Sequence, residues 1–167
     1  MSRNVLMLAV AGTFMIASGG AAAATKTTNL GVSAVVNPNC LVTATALNFG
    51  GYDGTAAKTG TSDISVRCST GTTFSVLLSS GGGTFAQRLL AGSGPNALQY
   101  NLYTTAAAST IWGDGTGGTG IGTGTGAGMS SASAQPFTVH GVLPDNAFNQ
   151  GAPSGSYADT ITVTVSY

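Results

Sequence analysis

The stretch "SYADTITVTVSY", Ser156 to Tyr167, alternates from Thr160 onward. Ile161, Val163, Val165 and Tyr167 fall on one face, with Thr160, Thr162, Thr164 and Ser166 on the other. A period of two with one apolar side is the pattern of a half-buried β-strand. Such a strand normally has a partner on each side, because a bare edge offers unpaired N–H and C=O groups to any other strand. No residue comes after Tyr167 in the sequence. The cover for this strand is therefore expected from elsewhere.

Working back along the chain, the same period recurs. "QPFTVHGVLP" puts Phe137 and Val139 on one side, and "ALQYNLY" sets Leu98, Tyr100 and Leu102 against Gln99, Asn101 and Tyr103. "TTFSVLLSS" aligns Phe74, Val76 and Leu78 and is closed by Gly81 to Gly83, while "SDISVRCS" aligns Ile64, Val66 and Cys68. "LVTATALNFGGYDG", from Leu41, reads as a further strand with a bend at Gly50 and Gly51. Between Phe85 and Leu90, "FAQRLL" has room for one helical turn, and no window carries a longer helical period. About six short strands with turn signals between them predict an all-β, immunoglobulin-like sandwich. Such a sandwich usually has seven strands or more, and the one missing here is C-terminal. A spare strand lies ahead of Cys40, where Leu30, Val32, Ala34 and Val36 alternate with Asn29, Gly31, Ser33 and Val35. "NPN" at 37–39 separates it from Cys40 and the strands beyond.

Composition narrows the function classes. Charged residues make up 6% of the 167 and the formal net charge is +0, against roughly 25% charged in an average soluble domain. Lys26, Lys58, Arg67 and Arg88 are scattered singly, so no phosphate-tracking stripe exists and nucleic acid is not an expected partner. The 26 Gly and 5 Pro residues fall short of the roughly 25–30% that marks low-complexity chains. The first residues are a separate object. Arg3, the apolar run Val5–Ala17 and the small residues up to Ala24 predict a secretory signal peptide over 1–24. The run is shorter than the ~20 residues of a membrane span, so none is expected in the mature chain.

An exported chain can oxidise its thiols, and Cys40 and Cys68 permit one pairing. Closing that loop contributes roughly 3–4 kcal/mol on the chain-entropy model. A metal site is the weaker reading, since His140 is the only other soft ligand and four are wanted. In "WGDGTGGTGIGTGTGAG", Trp112 to Gly128, the residues Gly115, Gly117 and Gly120 satisfy G-x-G-x-x-G. No helix succeeds them to hold a pyrophosphate, so the segment reads as a flexible loop anchored by Trp112. His140 has no spacing partner for acid–base work and reads as a strand residue, and the five Asp read as turn formers. Neither catalysis nor a cofactor or metal is expected.

An incomplete sandwich and a detached strand on one chain suggest exchange. Each apolar side chain left facing an open groove forgoes roughly 1.5–3 kcal/mol of burial, and a strand lent by a neighbour restores it. Donor and groove pointing to different neighbours make a head-to-tail contact, which grows as a filament.

The segments "NFGGYD", "ISVRCSTGTTFSVLLSSG", "LQYNLY", "WGDGTGGTG" and "GSYADTITVTVSY" are similar, in order, to those of the spore coat protein U family. Its members include subunits of archaic chaperone-usher pili. The resemblance implies a pilin that lacks its last strand, is held by a periplasmic chaperone, and is exported by an outer-membrane usher and polymerised by donor-strand exchange. It also implies a Cys40–Cys68 disulfide and an extracellular fimbria that serves adhesion and biofilm. Residues 25–38 would then be the donor segment, presenting Leu30, Val32, Ala34 and Val36, and 39–167 the pilin domain. Ile161, Val163, Val165 and Tyr167 would border the acceptor groove and meet the chaperone. A tip adhesin would carry a further N-terminal domain, so the chain resembles a shaft or adaptor subunit. "TVHGVLP" departs from relatives, with His140 and Val142 in place of a tyrosine and an arginine. Two other readings are a monomeric secreted coat or matrix protein, and a carbohydrate-binding module that stacks sugars on Trp112, Tyr100 and Tyr103.

Overall fold

A computed structural model describes residue 20 and residues 23–167; the predicted signal peptide lies almost wholly outside them. The chain divides into two units, one ending at Val35 and one from Val36 to Tyr167. In the first, the described residues from Ala23 are exposed and belong to no helix or strand.

The second unit is all-β. Its strands are β1 (Cys40–Ala44), β2 (Lys58–Cys68), β3 (Thr73–Leu78), β4 (Arg88–Ala91), β5 (Ala97–Tyr103), β6 (Gly122–Thr125), β7 (Gln135–Leu143) and β8 (Val163–Ser166). One sheet has the order β1-β2-β7-β5-β4 and the other β6-β3-β8. All pairings within them are antiparallel. The alternations read from sequence face inward. Ile64, Val66 and Cys68 of β2, Phe74, Val76 and Leu78 of β3, and Leu98, Tyr100 and Leu102 of β5 are buried together with Val139 and Leu143 of β7. Cys40 and Cys68 face each other in the β1–β2 register and are joined by a disulfide, S–S 2.02 Å.

Four local readings are corrected. The strand after Cys40 stops at Ala44. "FAQRLL" forms no helical turn. Thr84 and Gln87 exchange backbone hydrogen bonds across a tight turn (3.0 and 3.1 Å), and Arg88 begins β4. The guanidinium of Arg88 dictates this geometry, because it is wholly buried and needs acceptors on several sides. It donates to the Ser79 carbonyl (2.8 and 3.2 Å), the Trp112 carbonyl (2.7 Å) and Asn101 Oδ1 (2.6 Å). Desolvation lowers its pKa from the usual guanidinium value. A short α-helix, α1 (Ala147–Gln150), also occurs, capped by Asn146 Oδ1, which accepts from the Asn149 N–H.

The fourth correction concerns the glycine-threonine segment. It is not a loop throughout, since Gly122–Thr125 pairs with β3 as β6. Gly122 and Gly124 point inward, where the rings of Phe74, Phe137 and Trp112 fill the space. A Cβ on Gly122 would stand 3.0 Å from Phe137 and Trp112, and one on Gly124 would stand 2.5 Å from Phe74. Valine has the higher strand propensity, but steric overlap decides the sign here. Gly124→Val is expected to destabilise the domain by about 1–3 kcal/mol, read as a lower urea midpoint.

Candidate functional site: an open groove beside the last strand

β8 has β3 on one side and, among the described residues, no strand on the other. The chain reaches that edge by crossing between sheets. Ala158 exchanges backbone hydrogen bonds with Ala91 at the end of β4 (2.8 and 2.9 Å), which belongs to the first sheet. From Val163 onward the chain pairs with β3 in the second. Asp159 sits at the crossing. Its carboxylate accepts from Tyr100 Oη (2.6 Å), the Gly82 N–H (3.0 Å) and its neighbour Thr160 N–H (2.7 Å). It is thus a clamp between three segments, where the sequence suggested a turn former. Burial first, and then this hydrogen bond, raise the pKa of the Tyr100 hydroxyl. Asp53 and Asp114 do form turns. Side-chain hydrogen bonds from Thr55 and Thr116 hold their carboxyls below the usual range.

Beside this edge lies a groove of about 310 Å³. One wall is Ala44–Leu47 with Phe49, the other is Asp159–Ile161 with Val163, and Ile64, Leu78, Leu102 and Val139 form the floor. The first wall settles there because Gly60 and Gly141 are paired across β2 and β7. A Cβ on Gly60 would meet the Asn48 carbonyl at 2.9 Å, and one on Gly141 would meet Leu47 at 2.8 Å and Phe49 at 3.0 Å. Among the described residues, the only hydrogen bond from the backbone of Ala46–Tyr52 runs from the Gly50 N–H to Asn48 Oδ1, 2.7 Å. The groove thus has unpaired backbone along both lips. It continues into a wider, more polar space between Gly50–Gly54 and Ser154–Asp159.

Of the residues predicted to border the groove, Ile161, Val163 and Val165 are half-buried and pack on the core, while Tyr167 is 59% exposed. Ile161 and Val163 line the groove itself. The predicted donor residues Leu30, Val32 and Val36 are 86%, 88% and 87% exposed, and Ala34 is exposed as well. Sequence reasoning missed the first wall, Ala44–Phe49; its signal was the pair of glycines in distant strands.

Other candidates do not gather into a site. Trp112 is 2% exposed and donates its indole N–H to the Val76 carbonyl (3.0 Å); Tyr100 is buried too. Neither is a platform for a sugar. Gly115, Gly117 and Gly120 precede a strand and no helix. His140 lies mid-strand in β7 opposite Thr61 and Tyr103. Among the described residues, no three His, Cys, Asp or Glu side chains group as metal ligands. No helix among them is long and apolar enough to cross a membrane.

Two antiparallel sheets around one core, with a last strand that has no neighbour on one edge among the described residues, define the class: an all-β sandwich with an open groove beside its last strand. The model of the Spore Coat Protein U domain matches residues 26–164, and the chain belongs to that family. It is 30% identical over 172 residues to Protein U of Myxococcus xanthus, covering 92% of this chain and 91% of that one. It is also similar to a chain in the crystal structure of the CsuC–CsuE chaperone–tip adhesion subunit pre-assembly complex, from archaic chaperone-usher Csu pili of Acinetobacter baumannii. There the TM-score is 0.54 at 26% identity, over 79% of this chain and 40% of that chain.

Proposed function

We propose that this chain is a structural subunit of an extracellular fimbria, exported by the chaperone-usher route and polymerised by donor-strand exchange. One observation carries the reading: an apolar groove with bare backbone on both lips occurs in a chain that also presents an exposed, alternating apolar segment. Residues 25–38 serve as the donor. Leu30, Val32, Ala34 and Val36 of one copy enter the groove of the next and meet Ile161, Val163 and Val165, with Tyr167 at its end. Seven residues from Leu30 to Val36 span ~23 Å as a strand. A periplasmic chaperone covers the same groove until an outer-membrane usher delivers the subunit. The work of the protein is mechanical and adhesive, supporting surface attachment and biofilm, with no catalytic step.

The test is an unheated SDS gel of native surface material, probed for this chain beside a boiled sample. The expected result is a ladder that collapses to monomer on boiling, since non-covalent strand exchange resists detergent but not heat. A monomer band alone in both lanes would move the reading to a secreted monomeric coat or matrix protein.

A further inference from the structure

The outer face of the β6-β3-β8 sheet has an unusual chemistry. Thr73 and Ser75 of β3, Thr123 and Thr125 of β6, and Thr164 and Ser166 of β8 point away from the core, as their alternation with inward residues requires. The register sets Thr73 beside Thr125, and Ser75 between Thr123 and Ser166. Leu77 and Ile121 lie on the same face and add an apolar spot, with Ile121 36% exposed. None of the three strands contains a charged residue. Lys58, Asp63, Arg67 and Arg88 all belong to the other sheet. Exposed sheets commonly carry Lys or Glu that repel another sheet, and this face has no such guard.

From this we infer that the face is a contact between copies of this chain on neighbouring fibres, through which fimbriae associate side by side. The inference rests on the fibre reading above. A second copy is the occupant the chemistry favours. A hydroxyl is both donor and acceptor, so a face built of Thr and Ser, with its apolar spot at one end, can pair with a copy of itself about a two-fold axis. Without Arg3 of the predicted signal peptide, Lys26, Lys58, Arg67 and Arg88 stand against five Asp, a formal net charge of −1 that adds little long-range repulsion. Size fixes where the contact works. Three strands about 4.8 Å apart and four to six residues long present only about 200–300 Å², well below the ~800 Å² per partner of a stable complex. Single subunits therefore do not pair by this face. A fibre repeats it at every subunit and gains avidity from many weak contacts.

The experiment substitutes Thr123, which lies on β6 at the opposite edge of the sheet from the groove. Purified wild-type fibres are expected to sediment as bundles at low speed and to appear side by side in negative stain. Fibres of Thr123→Lys, and separately of Thr123→Glu, are expected to disperse, with at least a tenfold loss of sedimentable material and an unchanged unheated-gel ladder. Mixing the two variants is expected to restore bundling, which neither a folding defect nor general solubility would produce. Bundling that persists in both variants overturns the inference, as do wild-type fibres that show a ladder and never bundle. Bundles that form only on addition of matrix polysaccharide also overturn it and give the face to a glycan. A wild-type preparation with no ladder removes the fibre reading, and this inference with it.

Discussion

Cells producing Val163→Asp are expected to yield this chain as monomer only, with no ladder on an unheated gel. Val163 lines the groove and packs on the core from the strand with the free edge. While the groove is open, water reaches a carboxylate at this position, and the domain tolerates it. Once a donor strand closes over it, the charge is buried opposite an apolar side chain without a counter-ion. Leaving an unpaired buried charge costs about 3–5 kcal/mol, a factor of roughly 10²–10³ or more in affinity. The loss falls on assembly, so the variant should keep its disulfide and its β-rich circular dichroism. Normal ladders from this variant would show that the groove is not the acceptor.

Deleting residues 27–36 is expected to give the same monomer for the opposite reason. This variant keeps the groove and loses the strand that fills the next one. The two defects are complementary, and co-expression separates them. The Val163→Asp chain retains a donor, the deletion retains an acceptor, and together they should form one heat-sensitive dimer band and nothing larger. Growth past the dimer would mean that another segment acts as donor. Absence of the dimer, with both chains folded, would mean that Leu30–Val36 does not enter this groove.

Much of this was legible in the sequence where apolar and polar residues alternate. β2, β3, β5, β7 and β8 announce themselves that way, as does the exposed segment ahead of Cys40. β6 was hidden because its inward positions are Gly122 and Gly124. The apolar side of that strand is supplied by the rings of Phe74, Phe137 and Trp112, so a hydrophobic period has nothing to detect. β4 was hidden because the side chain at its inward start is Arg88, whose burial depends on carbonyls at Ser79 and Trp112 and an amide at Asn101. The groove wall formed by Ala44–Leu47 and Phe49 depends on Gly60 and Gly141 standing side by side, a pairing between residues far apart in the chain. Asp159 shows the same limit, since its partners Tyr100 and Gly82 are far away in sequence.

The disulfide gains a meaning in a fibre of this kind that a stability estimate does not express. In the proposed fibre, a pull along the filament would pass from each donor segment into its own domain through residues 37–39 and arrive at Cys40, the first residue of β1. β1 is a five-residue edge strand held to the sheet by one neighbour, and tension at its end would unzip it pair by pair. The bond to Cys68 lies at that point of entry. It would hand the load directly to the eleven-residue β2, which is flanked on both sides by other strands, so tension would bypass the edge strand β1.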